Sequence, residues 1–294
     1  MDAMVLSGLT HLHPGGRGIA DLDLTVPQGS LFGFLGPNGA GKTTTIRLLL
    51  DFLRPHKGTA SILGLDPWKD GVRLRGRIGY LPGEVHLPET WTGMEFLAHG
   101  AAIRGHDLPR GDLGHMVKAL DATPEKRLKT LSKGNKQKIA IIHALLFAPD
   151  LVILDEPTEG LDPLVQQAFH DLLNQYRSRG GTVFMSSHVL SEVERVCDRV
   201  AIIRSGRLVT VSRIADLLGQ KARRLDMTLS EDLDEATVLS GFPGSRLIRR
   251  NERTWHLEVP GKARDVVAHL ANMPVLDVTI STPSLEDSFL EYYS

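Results

Sequence analysis

Apolar and polar residues alternate along the first part of the chain, up to residue 35. The clearest runs are residues 22–26 and 31–35, and turn-forming Pro and Gly residues precede them at 14–18 and 27–29. An alternation with a period of two, bounded by turn residues, is typical of β-strands. We therefore predict that this part of the chain is built from strands.

The apolar spacing becomes helical after residue 41, where Ile46, Leu49, Leu50 and Leu53 predict a helix over residues 42–53. Buried strands then alternate with helices, which predicts a mainly parallel sheet covered on both faces. The further predicted elements are strands at 59–63 and 77–81, a helix at 132–147, a strand at 151–154, a helix at 163–178, a strand at 182–185, a helix at 189–196 and strands at 200–204 and 208–211.

Two stretches depart from this alternation. Residues 82–130 carry apolar spacings typical of short amphipathic helices, which predicts a helical insert. Beyond residue 218 the order is strand, helix, strand, strand, helix, strand, with a closing helix at 284–292, and this order predicts a small two-layer α+β domain. We therefore divide the chain into domains at residues 1–218 and 219–294.

The amino-acid composition limits which cellular compartment and which classes of binding partner are expected. Lys and Arg total 34 against 35 Asp and Glu, so the net charge of -1 gives no electrostatic reason to expect a nucleic-acid partner. The single cysteine, Cys197, excludes an internal disulfide, and the first twenty residues lack a signal-peptide pattern. The longest apolar stretch, residues 139–148, is half the roughly 20 residues that a membrane-spanning helix needs. We expect a cytoplasmic protein without a membrane span.

The first motif, which we call the phosphate loop, is residues 36–43, GPNGAGKT. It matches GxxxxGK[ST] and stands directly after a predicted strand and at the start of a predicted helix. Its glycines let backbone N–H groups face phosphate oxygens, while Lys42 would neutralise the phosphates and Thr43 would bind Mg²⁺. A plain glycine-rich turn is the weaker alternative. The candidate nucleotide-binding residues here are Gly36, Pro37, Asn38, Gly39, Ala40, Gly41, Lys42, Thr43 and Thr44.

The second motif is an apolar strand that ends in two acids, residues 151–157, LVILDEP. Asp155 at the carboxyl end of a buried strand would lie beside the phosphate loop and hold Mg²⁺. Glu156 would accept a proton from the water that attacks the γ-phosphate. Taken alone, such a pair more often caps the next helix. Together the two motifs predict an ATP-hydrolysing enzyme.

The phosphate loop and the strand that ends in two acids are both features of a known family, and the chain resembles the ATP-binding subunits of ABC transporters. Residues 131–138, LSKGNKQK, resemble the family's signature in the variant found in multidrug and ABC-2-type exporters. The resemblance implies that Ser132, Gly134 and Asn135 contact ATP held by a second subunit. Ser132 is also a favourable N-cap residue, so that an ordinary capped helix is the alternative for these residues in isolation.

The resemblance continues downstream of the acidic pair. Asp162, in the sequence GLDP, resembles the family's D-loop aspartate, which contacts the opposite subunit. His188, directly after a predicted strand, resembles the switch histidine that contacts the γ-phosphate and assists the catalytic base. A lone histidine after a strand is usually a surface residue. The order and spacing of the other motifs favour the switch role here.

Two positions depart from the family's pattern. Where many members carry a metal-linked glutamine, this chain has Gly83 followed by Glu84, so that Glu84 is either a replacement metal ligand or a solvated loop acid. Where many members stack an aromatic ring on adenine, this chain has His13, a smaller ring. His13 is thus either an adenine contact or a plain loop residue.

The resemblance implies a P-loop NTPase fold of the α/β class, with an antiparallel β subdomain, the helical insert as a helical subdomain, and a small C-terminal α+β domain. It further implies that two copies, or this chain and a paralogue, enclose two ATP molecules with Mg²⁺. ATP hydrolysis would drive export through a separate multi-span membrane permease, which would hold this subunit at the inner face of the membrane. The ending SLEDSFLEYY resembles a C-terminal extension of exporter-type ATPases.

The alternatives to a transporter subunit are two functions from other classes of protein. A soluble ABC ATPase that acts on a nucleic-acid or ribosomal assembly would carry a long coiled coil or a second ATP site, whereas the interval from Lys42 to Asp155 is too short for such an arm and only one GKT motif is present. A nucleotide-gated regulatory module without turnover would not need Glu156 and His188 in place.

Overall fold

The computed structural model describes residues 1–219 and 222–281. The closing helix predicted at residues 284–292 lies outside the described residues. The chain forms two compact units, Met1–Ser212 and Arg213–Ser294, whereas the sequence analysis divided it after residue 218. Each unit has its own hydrophobic core and is described by itself.

The described strands fall into three sheets, and their bounds agree with the sequence pattern to within a few residues. They are β1 (Asp2–Leu12), β2 (Gly18–Pro27), β3 (Leu31–Leu35), β4 (Lys57–Ile62), β5 (Ile78–Leu81), β6 (Leu151–Asp155), β7 (Thr182–Ser187), β8 (Arg199–Arg204), β9 (Arg207–Arg213), β10 (Arg223–Leu229), β11 (Arg246–Asn251), β12 (Thr254–Val259) and β13 (Val275–Ser281).

The described α-helices connect these strands or cover their sheets. They are α1 (Lys42–Leu49), α2 (Gly71–Arg75), α3 (Gly93–Ile103), α4 (Arg110–Ala119), α5 (Lys133–Leu145), α6 (Pro163–Ser178), α7 (Leu190–Val196), α8 (Ile214–Gly219), α9 (Glu235–Ser240) and α10 (Ala263–Leu270). Helices α3 and α4 lie within the helical insert predicted at residues 82–130. A short 3₁₀ turn, Leu128–Thr130, precedes α5.

The central sheet of the first unit has the strand order β5-β6-β7-β3-β8-β9. The first five strands of this order, β5, β6, β7, β3 and β8, pair in parallel with their neighbours. Every residue of β3, β6 and β7 is buried. Parallel strands covered on both faces need continuous apolar runs, and the sequence supplies them. The predicted parallel sheet is confirmed.

A second sheet of the first unit, in the order β2-β1-β4, is antiparallel. Along β2, buried and less buried residues alternate, because one face packs on the core while the other is solvated. Its buried side chains join those of the central sheet and of α1 in one hydrophobic core. This sheet is the predicted antiparallel β subdomain.

Helix α1 is shorter than predicted, because it ends at Leu49 and the chain turns at Asp51, where φ is +63°. Leu50 is nevertheless buried and Leu53 packs on the same core. Their apolar spacing continued the helical pattern beyond the helix itself. At Leu50 and Leu53, the apolar side chain therefore indicates that the position is buried, but it does not indicate that the position is helical.

The second unit contains the predicted order of strand, helix, strand, strand, helix, strand in β10 to β13 with α9 and α10. Its antiparallel sheet has the order β11-β12-β10-β13, which is a ferredoxin-like arrangement. Trp255 is fully buried in its core, together with Leu225 and Met227. The predicted α+β domain is confirmed.

In the part of the chain that the structure describes, no helix combines the length and the apolar character that crossing a membrane requires.

Candidate active site

The phosphate loop connects the carboxyl end of β3 to the start of α1. Gly39 and Gly41 have φ angles of +80° and +111°, which residues with a side chain rarely adopt. Gly41 is the N-cap of α1, and no side chain caps this helix. The N–H groups of the first helical turn therefore have no side-chain acceptor, which is the arrangement that binds phosphate in P-loop proteins.

Lys42, the first residue of α1, is buried with only 6% of its side chain exposed. Its Nζ atom donates hydrogen bonds to the carbonyl oxygens of Gly36 (2.6 Å) and Pro37 (3.3 Å). It also forms an ion pair with Oε1 of Glu156 at 3.1 Å. The phosphate loop and the acidic strand end thus meet at one ammonium group.

A second link between the two motifs runs through Asp155. The hydroxyl of Thr43 donates to Oδ2 of Asp155 at 3.0 Å, and the hydroxyl of Ser186 donates to Oδ1 at 2.5 Å. Asp155 is 2% exposed, so both hydroxyls replace water as partners of the carboxylate. One hydroxyl and one carboxylate oxygen at this spacing are suitable ligands for Mg²⁺.

Glu156 is held on both sides. Oε2 of its carboxylate lies 2.8 Å from Nδ1 of His188 and accepts a hydrogen bond from the backbone N–H of His188 at 3.3 Å. Its own N–H donates to the hydroxyl of Ser186 at 3.1 Å. Its φ angle is +49°, a strained conformation for a residue with a side chain. Lys42, Glu156 and His188 therefore form one connected chain of polar groups.

Of the residues just described, Lys42, Thr43 and Glu156 face a pocket of about 290 Å³. Polar groups and glycine backbone make up its lining, as expected for a site that holds a charged ligand. The lining residues are His13, Arg17, Gly18, Asn38, Gly39, Gly41, Lys42, Thr43, Thr44 and Glu156. Half of the predicted nucleotide contacts are thus brought together around one opening.

His13 lies in the lining of this pocket, as an adenine contact would require. Its Nε2 atom is 3.3 Å from the hydroxyl of Thr44, and the ring of His11 meets it edge-on with centroids 4.9 Å apart. These contacts fix the imidazole beside the phosphate loop. The role of His13 as an adenine contact stays a prediction.

Glu84 is not brought to the same place. Its side chain is 85% exposed and its nearest ionic partner is His86, at 3.6 Å. The preceding residue, Gly83, does approach the site, because a Cβ atom added to it would lie 3.4 Å from Oδ2 of Asp155. The position that carries a glutamine in many ABC ATPases is therefore close to Asp155, while the neighbouring acid points into solvent.

The signature segment, residues 132–135, lies at the start of α5. The Ser132 hydroxyl accepts a hydrogen bond from the N–H of Asn135 at 3.3 Å and one from its side-chain amide at 3.1 Å. Gly134 lies so close to the next loop that an added Cβ would be 2.7 Å from the carbonyl oxygen of Gly160. Ser132 is exposed. The segment is a capped helix end that faces outward.

Asp162 caps α6 and accepts a hydrogen bond from the N–H of Val165 at 3.0 Å. Among the described residues that line the pocket, there is no residue of the signature segment, and Asp162 is absent as well. Many of the predicted site residues therefore fall into two groups within this unit: those that line the pocket beside the phosphate loop, and those at the starts of α5 and α6. Asp155 and His188 contact residues of the first group without lining the pocket themselves, and Glu84 belongs to neither group.

Tyr80, in β5, shows how the interior around Asp155 affects a neighbour. Burial, followed by the negative charge of Asp155, raises the pKa of Tyr80 to about 12, although Arg47 acts in the opposite direction. The phenol therefore stays protonated at neutral pH, and it adds no second negative charge near the proposed metal ligands.

Ser186 is a site residue that the sequence analysis missed. It bonds both the carboxylate of Asp155 and the N–H of Glu156, because β7 lies beside β6 in the sheet. The available signal was a pair of serines, Ser186 and Ser187, that ends a buried apolar strand. Polar residues at the carboxyl end of a parallel strand point to the ligand-binding edge of the sheet.

Comparison with known proteins agrees with this geometry. A family profile described as "ABC transporter" matches residues 19–159. A second profile, described as "AAA domain, putative AbiEii toxin, Type IV TA system", matches residues 127–194. The two matched ranges together contain the phosphate loop, the signature segment, the acidic pair and His188.

Among related sequences, the chain is 40% identical over 207 residues to the uncharacterized ABC transporter ATP-binding protein all4389 of Nostoc sp., a match over 67% of this chain and 60% of that protein. It is 32% identical over 301 residues to the daunorubicin/doxorubicin resistance ATP-binding protein DrrA of Streptomyces peucetius, covering 98% of this chain and 91% of DrrA. A solved structure of an ATP-binding subunit of an ABC transporter matches with a TM-score of 0.66 and 30% identity, over 74% of this chain and 92% of that one.

Proposed function

The chain belongs to the family of ABC transporter ATP-binding proteins, and from that premise we propose that it couples ATP hydrolysis to export through a separate membrane permease. As a member of this family, it binds ATP and hydrolyses it to ADP and phosphate. The observation that carries the proposal is the junction of the two motifs, in which Lys42 and Thr43 of the phosphate loop contact Glu156 and Asp155.

Lys42 binds the β- and γ-phosphates in the proposed mechanism. Its ammonium group forms an ion pair with Glu156 at 3.1 Å, and phosphate oxygens compete for the same group because they are stronger anionic partners. Once Lys42 turns to the phosphates, the Glu156 carboxylate is free to accept a proton from the attacking water. His188, 2.8 Å from Oε2, keeps that carboxylate oriented.

Thr43 and Asp155 are the residues that would hold Mg²⁺. Their side chains are already 3.0 Å apart at the edge of the pocket, and the phosphates of ATP supply further oxygen ligands. Bound Mg²⁺ neutralises charge that develops on the phosphates during the reaction.

The active form in this proposal is a dimer of ATPase subunits, with either a second copy or a paralogue. The signature segment supports this, because it is an exposed helix start that lies outside the pocket of its own chain. In the dimer, Ser132, Gly134 and Asn135 of one chain would close over the ATP held by the other. Asp162 would contact the opposite subunit.

Export is the direction we propose, through a multi-span permease that holds this subunit at the inner face of the cell membrane. The support is the LSKGNKQK variant of the signature together with the match to DrrA, a protein named for daunorubicin/doxorubicin resistance, which extends over nearly the whole chain. No nucleic-acid partner is proposed, because the net charge is -1.

The catalytic part of the proposal is tested with Glu156→Gln. Removing the base is expected to lower the turnover number about a thousandfold, while the dissociation constant of MgATP stays within about threefold. Turnover is measured by phosphate release and binding by calorimetry. Glu125→Gln, at an exposed position, is the matched control and should hydrolyse ATP normally. Normal turnover by the Glu156 variant would remove this residue from its role.

The transport part is tested by affinity purification of the tagged full-length chain from native membranes in a mild detergent. The expected result is a complex that contains a multi-span membrane protein and whose phosphate release exceeds that of the chain alone. A complex made only of soluble proteins, or one that contains nucleic acid, would contradict the assignment to transport.

A further inference from the structure

Behind the catalytic groups, one carboxylate joins two segments of the site. Glu192, in the first turn of α7, accepts a hydrogen bond from the hydroxyl of Thr158 at 2.6 Å with one oxygen, and from the hydroxyl of Ser187 at 3.0 Å with the other. The two hydroxyl-bearing residues are 5% and 0% exposed. The carboxylate therefore takes the place of water for two buried donors. Losing it would leave the Thr158 hydroxyl without its described acceptor and would leave the Ser187 hydroxyl only its contacts with Val189.

The hydroxyl of Ser187 also sets the turn that carries His188. It accepts a hydrogen bond from the N–H of Val189 at 2.9 Å, so the chain is pinned on the far side of the histidine. Glu192 holds this hydroxyl from the helix that follows the turn. The orientation of His188 after the end of β7 thus depends on the position of the Ser187 hydroxyl, which Glu192 holds by a hydrogen bond.

Thr158 lies on the other connected segment, two residues after the proposed base Glu156. From there the chain runs through Gly160, whose carbonyl faces Gly134 of the signature segment, to Asp162 at the start of α6. The carboxylate of Glu192 therefore touches the segment that continues from the base as well as the turn that carries the histidine. No atom of Glu192 belongs to the pocket lining.

We propose that Glu192 is a positioning residue for hydrolysis, which holds His188 against Glu156 and ties that pair to the segment leading from Glu156 to Asp162. The inference rests on the roles given above to Glu156 and His188. It differs from a purely structural role, in which an acidic residue in the first turn stabilises α7 through the helix dipole and does not affect the reaction.

The first test compares Glu192→Ala with Glu192→Gln in the full-length chain. The alanine variant removes the carboxylate to which both hydroxyls donate, so that Ser187 keeps only its contacts with Val189, and it should lower kcat about tenfold. KM for MgATP should change less than about twofold because the phosphate loop is untouched. Glutamine keeps an acceptor for Thr158 and a donor for Ser187, so it should retain at least about a third of the wild-type kcat. Ser191→Ala, exposed on the same helix, is the control for helix perturbation.

The second test is a double-mutant cycle with His188→Ala. If Glu192 acts through His188, then Glu192→Ala should lower kcat less than about twofold in the His188→Ala background. An equal loss in both backgrounds would overturn the inference, as would an alanine variant with wild-type kcat or one whose only change is a raised KM. A glutamine variant as impaired as the alanine variant would also count against it.

Should Glu192→Ala fail to fold, Thr158→Val tests the same connection with a side chain of equal size. It removes one hydroxyl donor and is expected to lower kcat about threefold. A valine variant with wild-type kcat would then contradict the inference. The outcomes separate the two proposals. Wild-type turnover in both Glu156→Gln and His188→Ala would refute the catalytic roles proposed for Glu156 and His188, whereas loss in those variants with no effect at Glu192 would refute only this inference.

Discussion

The starts of α1 and α5 are both helix N-termini assigned to phosphate, yet they are built differently. At α1 no side chain caps the helix, and the neighbouring Lys42 is 6% exposed and fully engaged by Gly36, Pro37 and Glu156. At α5 the helix is capped by its own Ser132, which is exposed. The first is a buried pocket wall with open N–H groups. The second is an exposed helix start that is already capped by its own side chain.

This difference supports the proposal that only one half of a reaction site lies around the pocket. The groups that neutralise charge and accept the proton are gathered within bonding distance of one another, as preorganised catalysis requires. The signature segment contributes nothing to that pocket within its own chain. We infer that the second half comes from another subunit, and the following predictions test the two sides separately.

The largest effect is expected on the pocket side, from Asp155→Asn. The amide keeps the size of the side chain and a partner for Ser186, but it removes the negative charge that would hold the metal. The Mg²⁺ concentration for half-maximal phosphate release should rise about a hundredfold. Asp107→Asn, at an exposed position, is the control. An unchanged Mg²⁺ requirement would show that Asp155 does not serve the metal.

The shape of the phosphate loop is tested by Gly41→Ala. At φ +111° a Cβ is strained, and it would also lie 2.7 Å from Cγ2 of Ile19 and 3.1 Å from the carbonyl oxygen of Gly18. We expect the free energy of unfolding, measured by urea denaturation, to fall by about 2 to 3 kcal/mol. Gly39→Ala, at φ +80° in open space, should cost about 1 kcal/mol. Equal costs would contradict the close approach at Gly41.

On the signature side, the last turn of α5 carries His143, which packs against Phe96 and Gly100. Burial, and next the positive charge of Arg104, lower the pKa of His143 to about 4. Unfolded histidine binds a proton below about pH 6.5, whereas the folded one does so only below about 4. The folded state should therefore lose stability as the pH falls from 6.5 towards 4.

His143→Gln removes this titration. Between pH 7.5 and pH 5, the wild type should lose about 1 to 2 kcal/mol more of its free energy of unfolding than the variant does. Urea denaturation at the two pH values measures the difference, and His86→Gln, at an exposed position, serves as the control. The same acid sensitivity in wild type and variant would mean that His143 is not the titrating group.

The smallest effect is expected for Glu84→Ala. Because this side chain is 85% exposed and pairs only with His86 among the ionic contacts described for it, the Mg²⁺ requirement should change less than about twofold. A tenfold rise would show that the loop moves Glu84 to the metal during turnover. Such a result would mean that a loop acid, and not only the residues at the pocket, serves the metal.

Sequence reasoning found the pocket because each motif is local and stands at a strand end. The phosphate loop follows β3, and Asp155 ends β6, so the rule that carboxyl ends of parallel strands share one edge was enough to bring Thr43 and Asp155 together. The alternating pattern of the second unit was equally sufficient, since its strands and helices occur in the predicted order.

What the sequence did not disclose was the order of strands across the sheet. No periodicity indicates that β7 lies between β3 and β6, and this neighbourhood is what places Ser186 on Asp155. The direction of the Glu84 side chain was also undetermined, because it depends on the path of a loop without regular structure. Glu192 was missed for a related reason, since its two partners are 34 and 5 residues away and neither of them belongs to a motif named above.

The most direct test of the divided site is a mixing experiment with two inactive variants. Lys42→Ala disables the phosphate loop of its own chain, whereas Ser132→Arg disables only the segment that a chain would offer to its partner. In a mixed dimer one complete site remains, so a random mixture should recover about a quarter of the wild-type phosphate release. If the mixture hydrolyses no more ATP than the two variants do separately, the signature segment does not complete the site of another chain.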